Sequence, residues 1–160
     1  MRIMTMGYEG ITSQQFFAVL LKNKVQTIID VRELPLSRKA GFSKASLALT
    51  ASDYNINYVH VLALGCPKEI RHDYRADGNW ARYTRRFITY LNTQGVAINE
   101  LVELVKQERC CLVCFEADPN FCHRSFIAER VVSIIGSSLD IVHLKAVAPE
   151  KVANLHPALA

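Results

Sequence analysis

Val25-Gln26-Thr27-Ile28-Ile29-Asp30-Val31 is β-branched and nearly continuously apolar. A strand with one wet face alternates apolar and polar residues, whereas a strand buried on both faces of a parallel sheet does not. The run therefore predicts a central parallel strand with Asp30 near its carboxyl end. Parallel strands need long crossovers, and helical spacing on both sides of this run supplies them.

Upstream, Met4 and Met6 alternate with polar neighbours in a short strand that Gly7-Tyr8-Glu9-Gly10 interrupts. Thr12 and Gln15 then form a capping-box pattern, and Phe16, Phe17, Leu20 and Leu21 recur at helical spacing through about Lys24. Downstream, residues 32–43 hold Pro35, Gly41 and several basic groups and read as a loop, after which Ser43 or Ser46 caps a short helix through Ser52. Ile56 to Val61 alternates as a third strand. Leu64 to Asn79 has no clear period and contains Gly65, Pro67 and Gly78, so a long irregular connection is expected there.

Trp80, Tyr83, Phe87 and Leu91 mark one helix face, and Leu101, Val102 and Val105 mark a second helix from about Ile98 to Glu108. Cys110 to Phe115 is an apolar strand and Asp118-Pro119-Asn120 a turn. Phe121 to Ile135 reads as a helix with Phe126, Ile127, Val131 and Ile134 inward, and Leu139 to Leu144 as a last strand. The order βαβαβααβαβ predicts one α/β domain over residues 1–160, with three layers around a mainly parallel sheet of about five strands. Ligands of such sheets lie outside the carboxyl ends of the strands, which selects Gly7-Tyr8, Asp30-Val31-Arg32, Val59-His60 and Cys114-Phe115-Glu116.

Composition agrees with one folded domain: 160 residues, 50% hydrophobic and 21% charged. There is no run of eighteen apolar residues, and the amino-terminal stretch lacks the long apolar core of a secretory signal. A cytoplasmic protein with no membrane partner is expected. Five cysteines, an odd count with three crowded into one apolar run, fit reduced thiols better than a disulfide framework. The net charge of +4 is concentrated in residues 32–44 and 68–86, each carrying +3, a distribution compatible with an anionic partner.

The densest group of reactive side chains is Cys114-Phe115-Glu116-Ala117-Asp118-Pro119-Asn120-Phe121-Cys122-His123-Arg124. It is placed as a strand, a turn and the opening of a helix, where free amides attract anions and lower a thiol pKa. Cys122 sits where both effects act and is the first candidate nucleophile; Cys114 is the second. Asp30, Glu116 and His60 are the acid-base candidates, although the two carboxylates are equally suited to salt bridges with Arg32 and Arg124. Phosphatase and rhodanese loops place five residues between cysteine and arginine, and neither cysteine here has that spacing, but Asp30-Val31-Arg32 resembles the end of a rhodanese strand. Cys114, Cys122, His123, His60 and Glu116 are all legitimate metal ligands, yet no short Cys/His pair has a matching second pair, so no metal or cofactor is expected. Tyr54, Tyr58, Tyr74, Trp80 and Tyr83 interleave with basic residues as in surfaces that stack bases, while Trp80 and Tyr83 also lie on an apolar stripe.

Several segments together resemble the DUF-488 family, a bacterial and archaeal domain without an established activity. They are Thr5-Met6-Gly7-Tyr8-Glu9-Gly10; Asp30-Val31-Arg32 with Pro35, Ser37-Arg38-Lys39 and Gly41-Phe42-Ser43-Lys44; Ile56-Asn57-Tyr58-Val59-His60 with Leu64-Gly65; Glu116-Ala117-Asp118; Cys122-His123-Arg124; and His143-Leu144. The resemblance implies a pocket built from these segments. Ala63 stands where a Pro-Glu pair is common in relatives, so a carboxylate they carry there is absent.

The expectation is thus an anion-binding pocket at the carboxyl edge of the sheet. Arg32, Arg38, Lys39 and Arg124 grip phosphate in a nucleotide or nucleic acid, with Tyr8 and His123 beside them. In an enzyme, Cys122 or Cys114 attacks and Glu116, Asp30 or His60 moves protons. The alternative is a non-catalytic module that binds nucleic acid or protein through segments 32–44 and 68–86.

Overall fold

The computed structural model describes residues 1–146. In chain order the elements are β1 (Arg2–Gly7), α1 (Ser13–Lys22), β2 (Thr27–Asp30), α2 (Lys44–Asp53), β3 (Asn57–His60), α3 (Lys68–Asp77), α4 (Trp80–Leu91), α5 (Gly95–Gln107), β4 (Cys110–Cys114), α6 (His123–Ile135) and β5 (Asp140–Leu144). The five strands form one sheet in the order β3-β2-β4-β1-β5, and every pairing is parallel. The α/β reading with a parallel sheet is therefore the observed architecture.

Side chains alternate across the sheet and divide the core in two. Met4, Met6, Ile28, Cys111 and Val113 face α1 and α2, meeting Phe16, Phe17, Leu20, Leu47 and Ala51. Ile3, Ile29, Cys110, Leu112 and Cys114 face the other way, against Phe87, Leu91, Leu101, Val105, Ile127 and Val131 of α4, α5 and α6. All five residues of β4 and all four of β2 are buried, as strands covered on both faces require.

This arrangement positions a crevice. The helices that follow β1 and β2 pack on one face, and the helix that follows β4, which lies between them, packs on the other. The chain diverges at their carboxyl ends, the place where open α/β sheets bind ligands. Gly7 holds the strand ends close: a Cβ there would lie 1.8 Å from the Glu116 carbonyl oxygen. The ladder continues beyond the strands, with Tyr8 N–H donating to the Cys114 carbonyl at 3.3 Å and Glu9 N–H to that of Phe115 at 2.9 Å.

The expected irregular connection over Leu64 to Asn79 is corrected: a 3-10 turn at Leu62–Leu64 leads to the ten-residue α3. Only Ile70 of α3 is buried, so the helix has almost no apolar stripe to reveal it. It is held from outside instead. Lys68 N–H donates to Glu33 Oε2, Arg71 Nη2 donates to Glu33 Oε1 at 2.9 Å and Arg71 Nε donates to the Cys66 carbonyl at 3.0 Å. Gly78, at φ +63°, ends it in the left-handed conformation that glycine adopts most readily. Two smaller expectations also change. Ile134 is half exposed on α6, and Ser43 precedes α2 without capping it, because its hydroxyl donates to the Ser37 carbonyl and closes the 37–43 loop. No helix among the described residues is long and apolar enough to cross a membrane.

Candidate functional site

A cavity of about 480 Å³ opens at the carboxyl edge, within the range that holds small ligands. Its floor is the end of β4 and the start of α6. Cys114 and His123 line it, with Glu116 beside them. One wall is aromatic: Trp80 stacks on Tyr83 at 4.6 Å between centroids, and Tyr74 and Phe121 meet the Trp80 ring edge-on at 5.4 and 5.6 Å. The basic residues come from both charged segments, with Arg38 from the loop after β2 and Arg71 and Arg75 from α3.

The floor has a defined hydrogen-bond logic. His123 is buried, and its Nε2 lies 2.7 Å from the Val31 carbonyl oxygen. A carbonyl only accepts, so Nε2 carries a proton, and in the neutral ring it is Nδ1 that presents a lone pair. That lone pair faces two thiols at once, Cys114 Sγ at 3.9 Å and Cys122 Sγ at 3.9 Å. Cys114 Sγ also lies 3.2 Å from Glu116 Oε2, toward which its S–H donates. Burial lowers the His123 pKa, but Cys122, the Val31 carbonyl and Glu116 together outweigh it and raise the group above its ordinary value. Burial works to raise the Glu116 carboxyl, whereas its backbone N–H, the Cys114 and Cys122 thiols and the charge of His123 hold it below the usual range. Glu116 is thus an ionised acceptor beside a thiol that reaches the cavity.

Cys122, expected as the activated nucleophile, is placed otherwise. It precedes the first turn of α6 as foreseen, but it is 1% exposed and does not line the cavity. Burial, reinforced by Cys114, pushes its thiol well above the ordinary value, so desolvation overrides the helix amino terminus. Of the two candidate thiols, Cys114 lines the cavity and Cys122 does not.

Asp30 and Arg32 form the salt bridge that was the alternative to an acid-base role for Asp30. Asp30 is fully buried, and its carboxylate accepts from Arg32 Nε at 2.9 Å, Arg32 Nη2 at 2.7 Å, Arg32 N–H at 3.1 Å and the Tyr58 hydroxyl. A carboxylate so occupied has no free site for acid-base work. Arg32 lines the cavity, yet its Nη1 donates to the Tyr8 hydroxyl at 3.0 Å and to the Phe42 carbonyl at 2.6 Å. Four of its five N–H groups are therefore occupied, and it braces Tyr8 and the 32–43 loop. Tyr8 itself lies in the cavity wall, its ring stacked on Phe42 at 4.4 Å.

Arg124 is fully buried and away from the cavity; its guanidinium donates to Thr5 Oγ1 at 3.2 Å, the Glu116 carbonyl at 2.6 Å and the Ala117 carbonyl at 3.3 Å. It shapes the loop that carries Glu116 and does not present its charge to a ligand. The anticipated pairing of Glu116 with Arg124 thus runs through the backbone carbonyl. His60 donates from Nε2 to the Arg32 carbonyl at 2.7 Å and lines a separate surface hollow, and Lys39 extends over the Phe42 ring at 6.0 Å. Of the expected site residues, the fold brings Tyr8, Arg32, Arg38, Cys114, Glu116 and His123 to one cavity and leaves Asp30, His60, Lys39, Cys122 and Arg124 outside its lining.

Sequence reasoning missed Arg71 and Arg75 as cavity residues. With α3 unread, their four-residue spacing carried no facing information. Ile70 and Tyr74 at i and i+4, with Gly78 after them, were the available signal.

The family model described as "Domain of unknown function DUF488" matches residues 12–131. No curated protein and no solved structure matches the chain.

Proposed function

The chain belongs to the DUF488 family, and we propose that it is a cysteine-dependent enzyme whose cavity takes a phosphate-bearing substrate of the nucleotide class. The observation that carries this reading is the Cys114 thiol at the cavity floor, 3.2 Å from the Glu116 carboxylate and 3.9 Å from the oriented Nδ1 of His123. A thiol becomes a nucleophile when a neighbour takes its proton, and the ionised Glu116 carboxylate stands ready to take it. In the proposed step Cys114 Sγ bonds to phosphorus as its proton passes to Glu116. The bond from phosphorus to the leaving oxygen breaks, and Glu116 returns the proton to that oxygen. Water then cleaves the S–P bond and restores the thiol.

The walls support the substrate class. Arg38 and Arg75 line the cavity without an ion-pair partner among the described residues, so their charge is available to phosphate. Trp80, Tyr74 and Phe121 offer apolar ring faces and edges to a base. The alternative, a non-catalytic module that binds nucleic acid or protein through segments 32–44 and 68–86, is less well supported: three of the six basic residues in 68–86 are neutralised in ion pairs, Arg71 with Glu33, Arg82 with Asp77 and Arg86 with Asp73, and in 32–44 Arg32 is paired with Asp30.

Trp80 is the only tryptophan, so its fluorescence reports on the cavity directly. Titration with nucleoside mono-, di- and triphosphates should give a saturable change that Arg75→Ala weakens at least about tenfold, equivalent to about 1.4 kcal/mol. Absence of a saturable response to every phosphate-bearing compound refutes the substrate class. Saturable binding with no thiol-dependent turnover, unchanged in Cys114→Ala, refutes the enzyme.

A further inference from the structure

Cys114, Cys122 and His123 come from two elements, β4 and the start of α6, yet Cys114 Sγ, Cys122 Sγ and His123 Nδ1 all lie within 4.8 Å of one another. Each sulfur is 3.9 Å from the nitrogen. In a tetrahedral zinc site, with Zn–S about 2.3 Å and Zn–N about 2.0–2.1 Å, neighbouring S and N ligands stand about 3.6 Å apart and two sulfurs about 3.8 Å, so the S–N pairs close with a few tenths of an ångström and the sulfur pair with at most about one ångström. Glu116 Oε2 lies 3.2 Å from Cys114 Sγ, close enough to supply an oxygen donor after a shift of its side chain.

The surroundings match as well. A histidine that binds a metal usually donates its other ring N–H to a carbonyl or carboxylate, which fixes the ring and directs the lone pair at the ion. His123 does this through Nε2 to Val31, and Phe87 holds the ring edge-on at 5.2 Å between centroids. The three ligands are buried, which keeps competing water out, and Cys114 and His123 reach the cavity, which provides an entry path.

We propose that Cys114, Cys122 and His123, with Glu116 completing the set, form a zinc-binding centre at the floor of the cavity. Two thiolates and one imidazole suit zinc over magnesium or calcium, which take oxygen ligands. Binding replaces two S–H bonds with two S–Zn bonds and releases two protons to solvent. Zinc uptake does not depend on the nucleotide reading. It does occupy the sulfur that the proposed attack uses, so zinc is an inhibitor of that reaction. Sequence spacing hid the set because seven residues separate Cys114 from the adjacent Cys122-His123 pair, and the fold closes that gap.

The test uses the full chain, purified in reductant without chelator, with cobalt(II) and then zinc(II) as the only additions and no substrate present. One equivalent of cobalt should give thiolate-to-cobalt charge-transfer bands with tetrahedral visible bands, and zinc should abolish them. Cys114→Ser and Cys122→Ser should each weaken uptake at least tenfold, with circular dichroism reporting the fold. X-ray absorption of the zinc-loaded wild type needs no variant, and two sulfurs at about 2.3 Å should complete its shell. No cobalt uptake, or a shell with fewer than two sulfurs, overturns the proposal. Loss of nucleotide binding with a two-sulfur shell intact overturns only the substrate reading.

Discussion

Replacing Asp30 by alanine should destabilise the protein severely while leaving the chemistry of Cys114 intact in molecules that remain folded. Asp30 is fully buried and takes two side-chain hydrogen bonds from Arg32, which is 6% exposed, and a third from Tyr58. Removing one member of a buried ion pair strands the other, at a cost of about 3–5 kcal/mol. The Tyr58 hydroxyl loses its acceptor as well, which places the total toward the upper end of that range. Domain stabilities run to about 5–15 kcal/mol, so the change consumes a large share. At about 2–4 °C per kcal/mol for a chain of this size, the melting temperature should fall by roughly 6–20 °C. Urea unfolding followed by Trp80 fluorescence and circular dichroism measures the loss. The double variant Asp30→Ala with Arg32→Met removes the stranded charge and should recover at least about 1 kcal/mol. A single variant within about 1 kcal/mol of wild type refutes the reasoning, as does a double variant no more stable than the single.

Gly7→Ala should fail to fold or melt far below wild type, because the new methyl would sit 1.8 Å from the Glu116 carbonyl oxygen; a melting temperature within a few degrees of wild type contradicts that close approach. Stability should also decline steeply above about pH 9. Burial pushes the Cys66 and Cys110 thiols up to about 12, while the unfolded thiols ionise near 9, so the unfolded chain binds fewer protons as pH rises through that window. By pH 10.5 each thiol should remove about 2 kcal/mol, at 1.36 kcal/mol per pH unit. Thermal melts in reductant from pH 7 to 10.5 check this, and a flat melting temperature contradicts it. At the acid end, Glu116 is held below the usual carboxylate range, so it remains an acceptor for the Cys114 proton at pH 5 and is lost only as pH falls through that depressed value. Glu116→Gln should slow Cys114 alkylation at least tenfold at neutral pH; an unchanged rate assigns the proton to another group.

The strands were legible because burial on both faces leaves near-continuous apolar runs, as in Thr27–Asp30 and Cys110–Cys114. Thr12 and Gln15 announced the first helix and do form the reciprocal cap. The helix at Lys68–Asp77 was not legible, since its stability comes from Glu33 and Cys66, far away or outside its own pattern. The site divided along the same line. Strand-end position correctly gathered Tyr8, Arg32, Cys114 and Glu116 to one edge, because carboxyl ends of parallel strands share it. Which charges point into the cavity was beyond sequence. Arg124 and Arg32 look like phosphate ligands in one dimension, and in three their guanidinium groups tie loops and strand ends together. Cys122 shows the limit of reasoning from helix termini: burial outweighs the helix amino terminus there, and burial is a tertiary property.

Residue-resolved alkylation of the folded protein tests the central claim, that Cys114 is the cavity's reactive thiol. The full chain, free of metal and in reductant, is treated briefly with iodoacetamide at neutral pH, and modification at each of the five cysteines is read by mass spectrometry. Cys114, 6% exposed at the cavity floor, should react first, ahead of Cys66, which also lines the cavity but is 1% exposed, and of Cys110, Cys111 and Cys122, which do not line it, and a saturating nucleoside phosphate should slow it. If Cys114 is inert in the folded protein, or Cys122 reacts ahead of it, the assignment of the nucleophile is wrong.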